Sequence, residues 1–303
     1  MTRMLIFFAS GIIALHSLAS SFPPDSLHPN ELEIPLMKGN LPVINHLGYA
    51  FQYSEKHEQA FWVGYELTKQ ETERVFERTN EFIPDPTVST GTATVGDYFK
   101  SGYDRGHLAP AADMGWSQQA MAESFYFSNI SPQEPGFNRG IWKMLEEQVR
   151  TWAKVYDSIY VVTGPVLKDG LVQIGSNGVS IPKYFYKVIL DNTGDDCKAI
   201  GFLMPNQASK EPLEKFAVSV DQVEQETGID FFNKLPDSRE NLLEKEICIP
   251  CWTWTNINSP SPNQSNSPQP GVPQTQCNGI TKAGAQCKRM ITDTDGYCYQ
   301  HKP

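Results

Sequence analysis

Tyr103-Asp104-Arg105-Gly106-His107-Leu108-Ala109-Pro110 places a carboxylate, a guanidinium and an imidazole within four residues, around a glycine that permits tight backbone geometry. An imidazole near neutral pKa can take a proton from water, and a guanidinium can face a phosphate with two parallel hydrogen bonds. The combination suits hydrolysis of a phosphate ester. A single histidine beside a surface ion pair would read as structural, so the weight falls on the downstream residues. Ser128-Asn129-Ile130-Ser131-Pro132-Gln133 ends a short apolar run, and Phe137-Asn138-Arg139-Gly140-Ile141-Trp142 opens a helical pattern. Trp142, Leu145, Val149, Trp152 and Tyr156 recur at steps of three and four, which predicts one long amphipathic helix between Asn138 and Tyr156. Glu146 lies about two turns beyond Asn138, on a neighbouring stripe. An amide oxygen and a carboxylate so placed could hold a largely hydrated magnesium, an ion that keeps several waters and needs few protein ligands. Capping the helix is the other role open to Asn138.

The chain around these motifs mixes strand and helix signals. Ala60-Phe61-Trp62-Val63-Gly64-Tyr65, Ile159-Tyr160-Val161-Val162-Thr163, Tyr184-Phe185-Tyr186-Lys187-Val188-Ile189-Leu190 and Ala199-Ile200-Gly201-Phe202-Leu203-Met204 are rich in β-branched and aromatic residues. They predict the strands of a central sheet. No regular alternation with helices joins them, so the expected class is α+β, a mostly antiparallel sheet flanked by helices. Over 303 residues, 40% hydrophobic and 20% charged residues describe a globular chain and exclude wholesale disorder. With a formal charge of −10, attraction to a polyanion must come from a local basic patch or a bound cation.

Arg3, the apolar run from Met4 to Leu18 and the small residues of Ser17-Leu18-Ala19 read as a secretory signal over residues 1–19, so a secreted or periplasmic location is expected. No later stretch approaches the roughly 20 apolar residues of a bilayer span. Residues 20–44 read as an N-terminal extension and 45–255 as the main domain. From 256 to 276 no charged residue occurs and five of twenty-one positions are proline, among Ser, Asn and Gln. Such a segment reads as an extended linker, and a small cysteine-bearing unit over 277–303 comes after it.

In that unit Cys277, Cys287, Cys298 and His301 supply three thiols and one imidazole, the ligand count of a closed tetrahedral zinc site. Metal binding would then supply most of its folding free energy. An oxidising compartment favours disulfides instead, and both readings stay open. In the main domain, Cys197 is expected to pair with Cys248 or Cys251. Cys248-Ile249-Pro250-Cys251 has redox-motif spacing but lacks the βαβ setting of that motif, so it reads as structural.

Taken together, the motifs resemble those of the DNA/RNA non-specific endonucleases with a ββα-metal active site. The resemblance rests on Ser101 through Asp113, on Ser128 to Gln133, and on Asn138 through Trp142 to Glu146. Trp62 to Thr68, Arg78 before Phe82 and Asp85, and Gly228-Ile229-Asp230-Phe231-Phe232 extend it over roughly Asn45 to Trp254. What it implies is a metal-dependent endonuclease with DNA and RNA as substrates. By the same resemblance His107 is the general base, and Asn138 is the direct protein ligand of a hydrated Mg2+, for which Mn2+ can substitute. Glu146 orients the metal's waters, Arg78 and Arg105 lie near the phosphate, Asn129 is an active-site amide and Asp104 positions its neighbours. All these contacts go to phosphate or water, so cleavage is expected to depend little on sequence. A homodimer and an inhibitor protein are left open. The alternative reading is a catalytically inactive nuclease-like module that binds nucleic acid or another surface.

Overall fold

Runs of β-branched and aromatic residues form strands because their side chains pack on a pleated surface, and the four runs named in the sequence pair side by side. The computed structural model of the chain describes residues 31–194, 197–255, 275–280, 286–287, 290–291 and 296. Its longer elements, in chain order, are β1 (Ala50–Ser54), β2 (Gln59–Thr68), β3 (Asp104–His107), α1 (Gln118–Glu123), β4 (Ile130–Gln133), α2 (Lys143–Tyr156), β5 (Ser158–Pro165), β6 (Tyr184–Asp191), β7 (Lys198–Pro205), α3 (Val220–Thr227) and α4 (Asp237–Lys245). The sheet runs β7, β6, β5, β2, β1, with every pair antiparallel. Ala217–Val218 extends it at the β7 edge and Ile44–Asn45 at the β1 edge. The α+β class is as expected.

Strands β5 and β6 are buried over nearly their whole length because both faces of the sheet are covered. Side chains alternate between the faces: Phe185 and Ile189 enter one core, Tyr186, Val188 and Leu190 the other. Against the first face α2 lays Leu145, Val149 and Trp152. Trp152 is fully buried, and its indole N–H donates to the Thr253 carbonyl at 2.7 Å, which ties the segment after α4 to α2. Truncating such a side chain costs about 3–5 kcal/mol. Against the second face lie Val220 and Val223 of α3 and Leu243 of α4. Helix α3 begins where the Ser219 hydroxyl accepts from the Gln222 N–H and ends at Gly228, whose φ of +73° is the left-handed region that glycine enters freely.

Four differences from expectation have physical causes. Regular α-helix begins at Lys143 rather than at Asn138, because Phe137–Trp142 forms a wider π-type turn with non-helical dihedrals at Gly140. Two side chains of that turn, Asn138 and Arg139, are held by Asp104 on β3. The expected N-terminal extension joins the main body from residue 31 onward: Leu32 is buried, and Leu36–Met37 pairs with Ile229–Asp230. Cys248 and Cys251 form a disulfide with each other, so neither bonds Cys197. Cys197 sits instead beside Asn192, the Gly194 carbonyl and Arg239. Finally, β1 was not apparent in the sequence.

In the C-terminal unit Thr275–Gln276 pairs with Met290–Ile291, and the Cys287 N–H donates to the Gly279 carbonyl. This brings the buried Cys277 and Cys287 together. Cys298 and His301 lie outside the described residues, as do the signal segment and most of the proline-rich linker. Among the described residues no helix is long and apolar enough to cross a membrane.

Candidate active site

Between β2 and β5 the chain leaves the sheet, and this excursion carries every site residue expected in the main domain. Its centre is the antiparallel hairpin β3–β4, with Asp104 opposite Gln133 and His107 opposite Ile130. Alternation along β3 puts Arg105 and His107 on the same face. Gly106, between them, is required by packing: a Cβ there would lie 2.2 Å from Cδ of Gln133. Asn129 fixes the end of the hairpin. Its amide accepts from the Ala109 N–H and donates to the carbonyls of Ala109 and Ser124, all at 2.8–2.9 Å. Both of its N–H groups are used and the residue is fully buried, so it positions the backbone beyond His107 and does not reach the cleft.

His107 is buried, with its ring edge-on to Phe125 and Phe82 at centroid distances of 4.9 and 5.6 Å. Among the described residues no group bonds its Nε2. Burial first, then the positive charges of Arg78 and Arg105, hold its pKa down at about 3. The imidazole is therefore neutral near pH 7 and able to accept a proton. Arg78 lies over Phe125 and donates to Asn80 Oδ1 at 2.7 Å, while Arg105 lies over Phe82 at 4.2 Å. Neither forms an ion pair among the described residues, so both guanidinium charges are available to an anion.

Asn138 is oriented rather than merely present. Its Nδ2 donates to Asp104 Oδ2 at 2.9 Å, and Arg139 grips the same carboxylate at 2.6 and 2.8 Å. That network assigns the amide: nitrogen toward Asp104, oxygen turned away. No protein donor reaches the oxygen among the described residues. Glu146, in the first turn of α2, is half-buried. Burial raises its pKa, and the charges of Lys187 and Arg150 oppose the rise. Arg150 is itself paired with Asp113 at 2.7 Å, and Asp113 also accepts from the Tyr65 hydroxyl at 2.9 Å.

Arg78, Arg105, His107, Asn138 and Glu146 line one cleft of about 370 Å³. Arg139, Lys143 and Arg150 line it too, and no motif singled them out; the only sequence signal for Arg150 is its place one helical turn after Glu146. Lys187 was also missed. It faces α2 from the sheet, fully buried, with an ammonium 4.8 Å from the Trp142 ring and no hydrogen-bond partner among the described residues. In a chain of net charge −10 the cleft is locally cationic, as attraction to a polyanion requires. The donor set also fits a hard divalent cation: one neutral amide oxygen held open, a nearby carboxylate, and room for water.

Residues 29–238 match the model of the family described as DNA/RNA non-specific endonuclease. The chain is 40% identical over 204 residues to nuclease C1 of Cunninghamella echinulata var. echinulata, covering 62% of this chain and 81% of that protein. It is 35% identical over 218 residues to mitochondrial endonuclease G of Bos taurus, covering 67% and 73%. A crystal structure of the EndoG/EndoGI complex superimposes with a TM-score of 0.63 at 32% identity, over 68% of this chain and 91% of that one. With the family model spanning more than half of its length, this chain belongs to the DNA/RNA non-specific endonuclease family.

Proposed function

We propose that the protein is an exported, Mg2+-dependent endonuclease that hydrolyses phosphodiester bonds of DNA and RNA with little dependence on sequence. The observation that carries this reading is a neutral, buried His107 beside two arginines without ion pairs, in the same cleft as an amide oxygen held open by Asp104. His107 takes the proton from an attacking water. The water oxygen bonds to phosphorus and the P–O bond to the 3′-oxygen breaks. Arg78 and Arg105 stabilise the extra negative charge of the pentacovalent phosphorane in a cleft partly shielded from water. Asn138 Oδ1 would ligate the magnesium ion and Glu146 would accept hydrogen bonds from its waters. When bound, the ion supplies charge neutralisation and an acidic water for the leaving oxygen. None of these groups reads a base edge, so cleavage depends little on sequence.

The test is plasmid nicking by purified protein with and without magnesium. His107→Ala should lower the rate by about 10²–10⁴-fold while its thermal unfolding remains cooperative. Full activity in that variant overturns the mechanism. Chelation should abolish nicking and added Mg2+ or Mn2+ restore it. Export predicts a mature N-terminus at Ser20 in the secreted protein. Zinc in the C-terminal unit, held by Cys277, Cys287, Cys298 and His301, predicts one zinc per chain by elemental analysis.

A further inference from the structure

On the sheet face away from α2, helices α3 and α4 bring together Asp221, Glu224 and Glu244, with one carboxylate oxygen of each within 4.8 Å of the others. Asp221 and Glu224 are neighbours on α3 at a spacing of three. One oxygen of Glu224 accepts from the Phe231 N–H at 2.8 Å, which fixes the side chain and leaves the second oxygen free to ligate. Glu244, on α4, is only 5% exposed, and its Oε1 has no hydrogen-bond partner among the described residues. Asp230 and Glu240 add their charge to the same region. Among the described residues none of these five carboxylates forms an ion pair. A buried, unpaired carboxylate is costly, and packing a second and third beside it compounds the cost. Burial, followed by the charges of Glu224 and Glu240, pushes Glu244 up to about 9.

We propose that Asp221, Glu224 and Glu244 form a second cation site, distinct from the catalytic one and selective for calcium, which ties α3 to α4. The dimensions suit that ion. Calcium bonds oxygens at about 2.3–2.6 Å, and three such ligands fit within the 4.8 Å over which these carboxylate oxygens lie. Carboxylates from two helices, with waters completing the shell, match its flexible coordination. Magnesium demands a smaller, near-octahedral shell and gives up its waters reluctantly. A proton shared between Glu244 and Glu224 is the rival occupant.

Thermal unfolding of the full-length protein separates the two. Asn138→Ala, carried in every sample, silences cation binding at the catalytic cleft, and dialysis against EGTA empties the second site. Calcium at a hundredfold excess over its dissociation constant should raise Tm by roughly 5–10 °C. Magnesium at the same concentration should raise it less. Glu244→Gln, which keeps the shape and removes one charge, should abolish the calcium response. Should Glu244→Gln fail to fold, Asp221→Asn, at a half-buried position in the first turn of α3, gives the same readout. The proposal fails if calcium leaves Tm unchanged, if magnesium matches it, or if the folded variant still responds.

Discussion

The two faces of the central sheet carry ionisable groups of opposite sign. Over one face, the cleft beside α2 holds Arg78 and Arg105 without an ion pair among the described residues, next to Arg139, Lys143 and Arg150, which pair with Asp104, Glu147 and Asp113. Over the other, α3 and α4 hold Asp221, Glu224 and Glu244 without a single ion pair among the described residues. Folding ordinarily pairs buried charge, as where Lys198 has Asp191 at 2.5 Å. The exceptions are therefore informative. Each is a place where a ligand of the opposite sign completes what the chain leaves open, a polyanion in the first case and a cation in the second. Net charge describes neither.

If the cationic face is the one that binds the scissile phosphate, the largest effect outside His107 belongs to Arg105. Arg105→Ala should lower the cleavage rate by about 10²–10³-fold, the usual cost of removing one preorganised charge donor. Glu240→Gln, on the acidic face, should change that rate less than about twofold, as surface substitutions remote from a site do. Equal losses in the two variants would erase the distinction. Asp104→Ala comes next. It frees the Asn138 amide to rotate, so apparent affinity for magnesium should fall by about 10–100-fold, with kcat largely recovered at saturating metal. A kcat defect that excess metal does not relieve would mean that Asp104 does more than orient its neighbour.

Opposite charge also gives opposite pH dependence. His107 has a folded pKa of about 3, below its usual value, so the unfolded chain takes up the proton first as pH falls. Its contribution is intact above about pH 6.5 and is lost on the way down to 3, roughly 2 kcal/mol by pH 5. Glu244 runs the other way. With a folded pKa of about 9, raised above the usual 4.5, it penalises folding at high pH, and the penalty is relieved as pH falls from 9 toward 4.5. In EGTA, His107→Asn should therefore gain on the wild type at pH 5 and not at pH 8. Glu244→Gln should gain at pH 9 and not at pH 5. The same trend in both variants would contradict the assignment of charge to the two faces.

How much of this was legible depended on whether a signal is local. The strands β2, β5, β6 and β7 were readable because each is a contiguous run whose residues suit a buried sheet. Arg105 and His107 were readable because they stand two residues apart in one short motif, although the hairpin that carries them was not. Asn138 was found as a residue but not as a geometry, since its orientation depends on Asp104, thirty-four positions earlier. The same long-range tie accompanies the start of the regular helix at Lys143 rather than at Asn138. Asn129 has the identity of a reacting group and the bonding of a scaffold, a difference that only its three backbone partners disclose. The acidic cluster spans residues 221 to 244 and has no period to betray it. Cysteine pairing likewise followed proximity rather than count, with Cys248 and Cys251 joined across a single turn.

Lys187 was the least legible residue of all, a cation in the middle of an apolar strand. It occupies the same face of β6 as Phe185 and Ile189, and thus points toward α2 and Glu146. Burial lowers its pKa while Glu146 and Asp113 hold it up. Its charge is the largest of those that keep Glu146 ionised against burial. Lys187→Met fills similar volume and removes both the charge and an ammonium without a hydrogen-bond partner. Relief of the unbonded ammonium is offset by the loss of Glu146's counter-charge, so stability should change little. Activity should respond through Glu146: its carboxyl, no longer held down, protonates at higher pH, so the acid limb of the rate profile moves upward. The loss should be several-fold near pH 6 and largely absent near pH 8, with KM for DNA unchanged. A uniform loss at all pH values would instead mark Lys187 as packing, and an unchanged profile would detach it from the cleft altogether.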